Sequence, residues 1–350
     1  MRSAPRFFSS ENSSLKDAIQ CCLCHRRCIL APGKSGACKV RLNRDGKGEI
    51  PFYGYITALA LDPIEKKPLY HFRPGTEILS IGFAGCNLYC PFCQNWQISQ
   101  QTEISGRNYT PIELIEAAKK TTNAAQSAIA YTYSEPLVHV EFLLETMKEA
   151  RKAGVANVLV TNGCINSEAA TEILELCDAA NVDLKCFSEK TYSEVLGGDL
   201  QSVTAFIRLA LEKNVHLELT TLLVPGLNDS RAELNKCRDF IAELHTEKIF
   251  VPWHLSAYHP DYKWKTPATS APSLIAAAKR ARETLAYVYV GNIAASNITG
   301  GNDTNCPYCR ETLISRQGYR INTAGLSLQE EKEGAAYVCS SCGKRAPIRF

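Results

Sequence analysis

Three cysteines, Cys86, Cys90 and Cys93, stand in the stretch GFAGCNLYCPFCQNWQIS, with Phe92 just before the last. Thiolates are metal ligands, and three are one short of the four that close a tetrahedral zinc site. The same three can each hold one iron of a cubane cluster and leave the fourth iron open. An open iron invites chemistry at the metal, whereas a closed site only braces the chain. A zinc knuckle borrowing a fourth ligand from elsewhere, or chance clustering in a cysteine-rich chain, is the alternative. The stretch follows the apolar run EILSI, so these cysteines are expected in a loop at the end of a strand.

Two further groups carry four cysteines each. Cys21, Cys24, Cys28 and Cys38 are spaced C-x2-C-x3-C-x9-C, with Gly33 and Gly36 letting the chain turn back between them. Four thiolates make a closed site that suits structural Zn2+, and an auxiliary iron-sulfur cluster is its rival. Cys22 is supernumerary or stands in for Cys21. Cys306, Cys309, Cys339 and Cys342, at C-x2-C-x29-C-x2-C with short β segments between, match a zinc ribbon, with rubredoxin-like iron as the alternative. Cys164, Cys177, Cys186 and Cys237 lack ligand spacing and are expected to be buried thiols.

Sixteen cysteines in so long a chain, mostly in C-x2-C or C-x3-C pairs, argue for metal instead of a disulfide scaffold. A reducing, cytoplasmic setting is expected. No apolar run approaches the ~18 residues of a membrane span. The net charge of +3 is small and the basic residues are scattered, which argues neither for nor against nucleic acid, and no nucleic acid or membrane is expected as partner. Residues 1–17 are expected to be a disordered tail, 18–75 a four-cysteine module with a connector, 76–301 the main domain and 302–350 the ribbon.

The elements that must position these groups follow from periodicity. From residue 78 to about 291, strand-type runs alternate with amphipathic helical segments, the pattern of an α/β fold with parallel strands. Six such pairs with right-handed crossovers make a partial (β/α)6 barrel, whose ligands sit at the carboxyl-terminal strand ends. Those ends carry TYSEP with Ser134 and Glu135, TNG with Asn162, DLK with Asp183 and Lys185, and VPWHLSAYHP with His254 and His259. Each has a structural alternative: Glu135 as a helix amino-terminal acid, Asn162 as a turn residue, Lys185 as a solvated lysine and His254 as a satisfied core histidine. Trp253, Tyr258 and Tyr262 either wall a pocket or pack the rim. The connector LDPIEKKPLYHF either covers the site or simply wraps the surface.

The spacing C-x3-C-x-(aromatic)-C resembles the signature of the radical S-adenosylmethionine (SAM) superfamily. The order of motifs, from the amino-terminal knuckle through DPIEKKPLYHF, GCNLYCPFCQNWQIS, TYSEP, VTNG, DLK, VPGLNDS and NIxxSN to the ribbon, resembles the radical SAM component of the AmmeMemoRadiSam system. That family is related to the pyruvate formate-lyase activating enzymes. The resemblance implies a 4Fe-4S cluster on Cys86, Cys90 and Cys93 whose open iron chelates SAM and cleaves it to a 5'-deoxyadenosyl radical. It also implies cofactor contacts from Phe92, Ser134, Glu135, Asn162, Asp183, Lys185 and His254, the last on the ribose side. Val160 stands where the activating enzymes carry an Asp of a cation site. Implied partners are a reductant protein such as flavodoxin or ferredoxin and Amme-type and Memo-type proteins. The expected reaction takes hydrogen from a small-molecule substrate. Activation of a glycyl-radical partner protein and a non-catalytic metal-binding scaffold are the alternatives.

Overall fold

The computed structural model describes residues 4–10, 16–101, 103–123, 126–246, 249–294, 301–331 and 334–350. Its centre is a sheet of seven parallel strands: β1 (Glu77–Phe83), β2 (Ala128–Thr132), β3 (Ala156–Thr161), β4 (Ala179–Asp183), β5 (His216–Leu223), β6 (Trp253–Ala257) and β7 (Val288–Gly291). Six helices return the chain between them: α1 (Pro111–Thr121), α2 (Val140–Lys152), α3 (Ser167–Leu174), α4 (Leu200–Glu212), α5 (Arg231–Glu243) and α6 (Ala271–Ala281). The starts of these helices are written locally. Thr110 and Glu113 form a reciprocal capping box on α1, and Asp199, Ser230 and Ser270 cap α4, α5 and α6.

Each strand pairs with the next in sequence, so the order never reverses. Right-handed crossovers then place every helix on one face, and the twisted sheet curls with its other face inward. The partial barrel gains a seventh strand beyond the six expected, AYVYVG, because four residues suffice to pair with β6. At the other edge, Tyr55–Pro63 runs antiparallel to β1, and Arg107–Asn108 adds a short outermost pair. The chain order leaves the barrel open between β7 and this edge strand.

Small side chains line the concave face, and the connector fills the space they leave. Ile64, Leu69 and Phe72 pack against Ile78, Ala128, Ala130, Ala156, Val158 and Ala179. Burying a side chain such as Ile64 or Leu69 stabilises by ~1.5–3 kcal/mol. Polar groups fix the segment's height: Asn181 Nδ2 donates to the Pro68 carbonyl at 2.7 Å, and the Tyr70 and His71 amides donate to Glu218 at 3.0 and 2.7 Å. The connector therefore neither covers the cysteine loop nor wraps the surface. It plugs the amino-terminal half of the barrel.

The amino-terminal stretch departs from the expected disordered tail. Phe8–Ser9 pairs with Ile19–Cys21, which pairs with Ile29–Leu30. The buried Arg41 guanidinium reaches Glu141 of α2 at 2.9 and 3.0 Å and fastens this module to the barrel. Residues 1–3 and 11–15 of that tail, and the second half of the NIxxSN stretch, residues 295–297, lie outside the described residues. In the carboxyl-terminal module, Thr304–Asn305, Thr312–Gln317 and Arg320–Asn322 form one antiparallel sheet and Leu326–Glu331 with Gly334–Cys339 another. Its tail returns to the connector, where the Arg349 amide donates to the His71 carbonyl at 2.8 Å. Among the described residues no helix is long and apolar enough to cross a membrane.

Candidate functional site

The cysteine loop leaves β1 through Ala84 and Gly85. Gly85 sits at φ +77°, and a Cβ there would lie 2.2 Å from the carbonyl oxygen of Cys38. Only glycine allows the amino-terminal module to press so closely on the loop. The loop is then tied down at several points. The Gly85 amide donates to the Ile98 carbonyl at 2.8 Å, Gln100 Nε2 donates to the Leu88 carbonyl at 3.0 Å, and Lys263 N donates to the Pro91 carbonyl at 2.9 Å.

Two asparagines join the loop to the end of β3. Asn87 Nδ2 donates to the Cys164 carbonyl at 2.6 Å, and Asn162 Nδ2 donates to Asn87 Oδ1 at 2.9 Å. Asn162 Nδ2 also lies 3.7 Å from Cys86 Sγ, which receives the Leu88 amide at 3.4 Å. Donors aimed at a sulfur favour its thiolate, the form a metal needs. Asn87 was missed in the sequence. A polar residue between paired cysteines was the available signal.

Burial pushes the Cys86 thiol up, and it pushes Cys90 up to about 12, with Lys185 opposing the shift at Cys90. A bound cation reverses this order and holds the thiols deprotonated. Asp183 and Lys185, at the end of β4, pair at 3.0 Å and stay partly exposed. Burial lowers the Lys185 ammonium's pKa, but Asp183 and the thiolates of Cys90 and Cys86 outweigh it and keep the charge in place. The loop thiols thus lie beside a cation and a carboxylate at the carboxyl-terminal rim.

Other expected contacts are used inside the protein. Glu135 is fully buried, and both its oxygens are occupied: by Thr161 Oγ1 at 2.6 Å, the Leu137 amide at 3.1 Å and the Asn162 amide at 2.8 Å. It braces β2 against β3, and Oε2 accepts only the Asn162 amide among the described residues. Burial raises its carboxyl to about 7 against these donors. Ser134 Oγ donates to the Phe83 carbonyl at 2.6 Å, just ahead of the loop. Tyr133 keeps a left-handed backbone at φ +70°, the conformation a glycine would adopt, with Asp62 and Lys67 holding its hydroxyl. The buried Phe92 ring packs edge-on against Tyr258 and Trp264, so it pins the loop to the segment after β6. Asn162 likewise spends its amide on the loop.

His254 is the second residue of β6, 4% exposed, with Nε2 donating to Glu218 at 2.7 Å, and it also lines a cavity between the connector and the carboxyl-terminal module. Alternation of side chains along a strand gave its face but not its height. His259, beyond the carboxyl end of β6, stands at the rim and is exposed. Trp253 points the other way, with Nε1 donating to Thr221 Oγ1 at 2.9 Å, and does not wall a pocket.

The carboxyl-terminal cysteines converge. The sulfurs of Cys306, Cys309, Cys339 and Cys342 all lie within 4.8 Å of one another, with Cys306–Cys342 at 3.7 Å and Cys309–Cys339 at 3.6 Å. Metal–sulfur bonds of about 2.3 Å in a tetrahedron give sulfur–sulfur edges of about 3.8 Å, so this set fits one ion. Cys21, Cys24, Cys28 and Cys38 do not converge as tightly.

Residues 80–236 match the sequence model of the radical SAM superfamily. An uncharacterized protein of Methanocaldococcus jannaschii is 37% identical over 335 residues, 94% of this chain and 95% of that one. Residues 80–236 are a radical SAM domain. The chain is also similar to the pyruvate formate-lyase 1-activating enzyme of Escherichia coli K12, at 23% identity over 198 residues, 55% of this chain and 78% of that enzyme. The pyruvate formate-lyase-activating enzyme of Staphylococcus aureus USA300 is 27% identical over 196 residues, 52% of this chain and 75% of that enzyme. A radical SAM domain implies an enzyme that uses an iron-sulfur cluster, SAM and a reductant. Residues 80–236 span β1 through most of α5, which includes the cysteine loop and the rims of β2 to β4.

Proposed function

We propose that the protein is a radical SAM enzyme whose 4Fe-4S cluster is held by Cys86, Cys90 and Cys93, and which takes a hydrogen atom from a small-molecule substrate. The observation that carries this reading is the Cys86–Asn87–Asn162 network: it fixes a three-thiol loop on the barrel rim, beside the partly exposed Asp183 and Lys185. The cluster, when bound, supplies the electron that cleaves SAM. The chain's own residues do the rest. Asn162 and the Leu88 amide direct donors at Cys86, Lys185 sets positive charge beside Cys90, and Glu135 locks the rim against movement. Asp183 and Lys185 keep partly exposed polar atoms to offer SAM.

The motif order supports membership in the AmmeMemoRadiSam group, with Amme-type and Memo-type proteins as partners and a flavodoxin or ferredoxin as reductant. The sulfur spacing at Cys306, Cys309, Cys339 and Cys342 supports Zn2+ there, while the Cys21–Cys38 set is assigned a metal without choosing zinc over iron. A second reading, activation of a glycyl-radical protein, is favoured by the likeness to pyruvate formate-lyase-activating enzymes.

Anaerobic reconstitution with iron and sulfide, followed by dithionite and SAM, is expected to release 5'-deoxyadenosine, and a Cys90→Ala variant to release none. No product from the wild type refutes both readings. Deuterium carried into the 5'-deoxyadenosine from a labelled metabolite supports the first reading, and from a labelled partner peptide the second.

A further inference from the structure

A surface cavity of about 750 Å³ is shared by three parts of the chain. The connector gives Glu65, Lys66 and Tyr70, β6 and β7 give His254, Ser256 and Gly291, and the carboxyl-terminal module gives Arg316 and Arg320. That volume falls in the ~300–1,000 Å³ range of small-molecule sites. Ser256 and Gly291 belong to the carboxyl-terminal strand ends, the same rim that carries the cysteine loop. A Cβ on Gly291 would stand 3.1 Å from Ser256 Oγ, so the missing side chain keeps this end of the cavity clear.

The wall carries charged groups fixed in place by the fold. Arg316, 7% exposed, donates to the Tyr70 carbonyl at 2.7 Å and the Asn302 carbonyl at 3.0 Å, yet its Nε has no partner. Glu65, 5% exposed, accepts from the Gly75 amide at 2.8 Å through Oε1 and leaves Oε2 without a partner. Unpartnered buried polar atoms are costly and uncommon in folded proteins, and both belong to residues that line this cavity. Three bases, Lys66, Arg316 and Arg320, face one acid, Glu65. Lys66 is half exposed and held in place at 2.8 Å by Asp62, a carboxylate it shares with Lys67. Asp62 also accepts from Tyr133, at the motif that follows β2, so the mouth of the cavity is braced to the rim.

We infer that this cavity holds the molecule that gives up its hydrogen, and that this molecule is small and carries a carboxylate or phosphate group gripped by Lys66 and Arg320. The substrate assignment rests on the radical SAM reading above. The carboxyl-terminal module is then part of the substrate site, supplying one wall, and not only a metal-bound appendage.

The test is isothermal titration of the anaerobically purified full chain with two probes, citrate and inorganic phosphate. At least one is expected to bind. Arg320→Met and Lys66→Met should each weaken it by about tenfold or more, the loss of one charged contact. Lys279→Met, outside the cavity, should leave it unchanged. Citrate binding alone points to a carboxylate and phosphate binding alone to a phosphate group. Binding of neither, or equal binding by the wall variants, overturns the site. Release of 5'-deoxyadenosine is measured on the same preparations. If the wild type binds an anion but releases none, the substrate assignment falls and the anion site stands. If it releases product but binds neither probe, the radical reading stands and the cavity assignment falls.

Discussion

Replacing His254 with alanine separates two accounts of that residue, a brace inside the barrel and a ligand of SAM. Its Nε2 donates to Glu218 Oε2 at 2.7 Å, and its ring meets Tyr70 edge-on with centroids 4.8 Å apart. The carboxylate can only accept, so the proton lies on Nε2. Deleting the imidazole removes one hydrogen bond to a charged group, worth ~1.5–3 kcal/mol, and ring contacts with Tyr70 and Tyr289, the edge-on one alone worth ~0.5–1.5 kcal/mol. The loss is about 3 kcal/mol. For 350 residues at ~2.1 cal/mol/K each, the unfolding entropy is ~0.7 kcal/mol/K, so the thermal midpoint should fall by about 4 °C. Differential scanning calorimetry reads that shift, and equilibrium dialysis of SAM on the reconstituted protein reads the other account. Affinity for SAM should stay within about twofold of the wild type, under 0.5 kcal/mol. His254→Gln, whose amide can still donate, should recover part of the midpoint. An unchanged midpoint together with a tenfold or greater loss of SAM affinity would refute the placement of His254.

Three more outcomes are expected. Burial pushes the Glu218 carboxyl up, but its bonds to His216 and His254 outweigh burial and hold it well below its ordinary 4.5. The stability it lends is complete above that ordinary value and is lost as pH falls below it, so Glu218→Gln should flatten the acid limb of the melting-temperature profile. Arg41→Met leaves Glu141 buried without its charge partner and should cost ~3–5 kcal/mol in urea unfolding, whereas Arg41→Met/Glu141→Leu should cost less than the two single changes summed. Cys309→Ser should lower bound zinc, read by mass spectrometry, by about one ion per chain, and Cys237→Ser should not change it.

The order of strands and helices was legible because each segment states its own period and its own cap, as Thr110 and Glu113 do for α1. The loop of Cys86, Cys90 and Cys93 was legible because ligand spacing is local. What escaped were features that depend on height within the barrel. His254 and His259 share one segment and lie at opposite ends of β6, and an alternating pattern cannot tell them apart. Glu218 was missed because HLELTTLL resembles a buried strand, and its partners Tyr70, His71 and His254 come from two distant segments. Glu135 was in the right motif, but its oxygens accept from Thr161 and Asn162, a contact only the β2–β3 pairing creates. The connector showed its composition and not its destination, since nothing local says that Ile64 and Leu69 will enter the barrel.

The contact between the connector and the tail has a consequence for the order of assembly. His71 Nδ1 and the Pro347 carbonyl meet at 3.0 Å across 276 positions of sequence. The connector's contacts with β1 are short-range by comparison, so they can form while the chain is still being synthesised. The tail's contact must wait until every strand of the barrel has left the ribosome. A nascent chain therefore passes through a state in which the barrel is plugged and curled while Tyr289, whose hydroxyl lies 2.6 Å from His71 and 2.8 Å from Thr304 in the finished fold, still lacks half of its surroundings. In that state the cysteine loop has all of its strand neighbours, and the wall that Arg316 and Arg320 build does not yet exist.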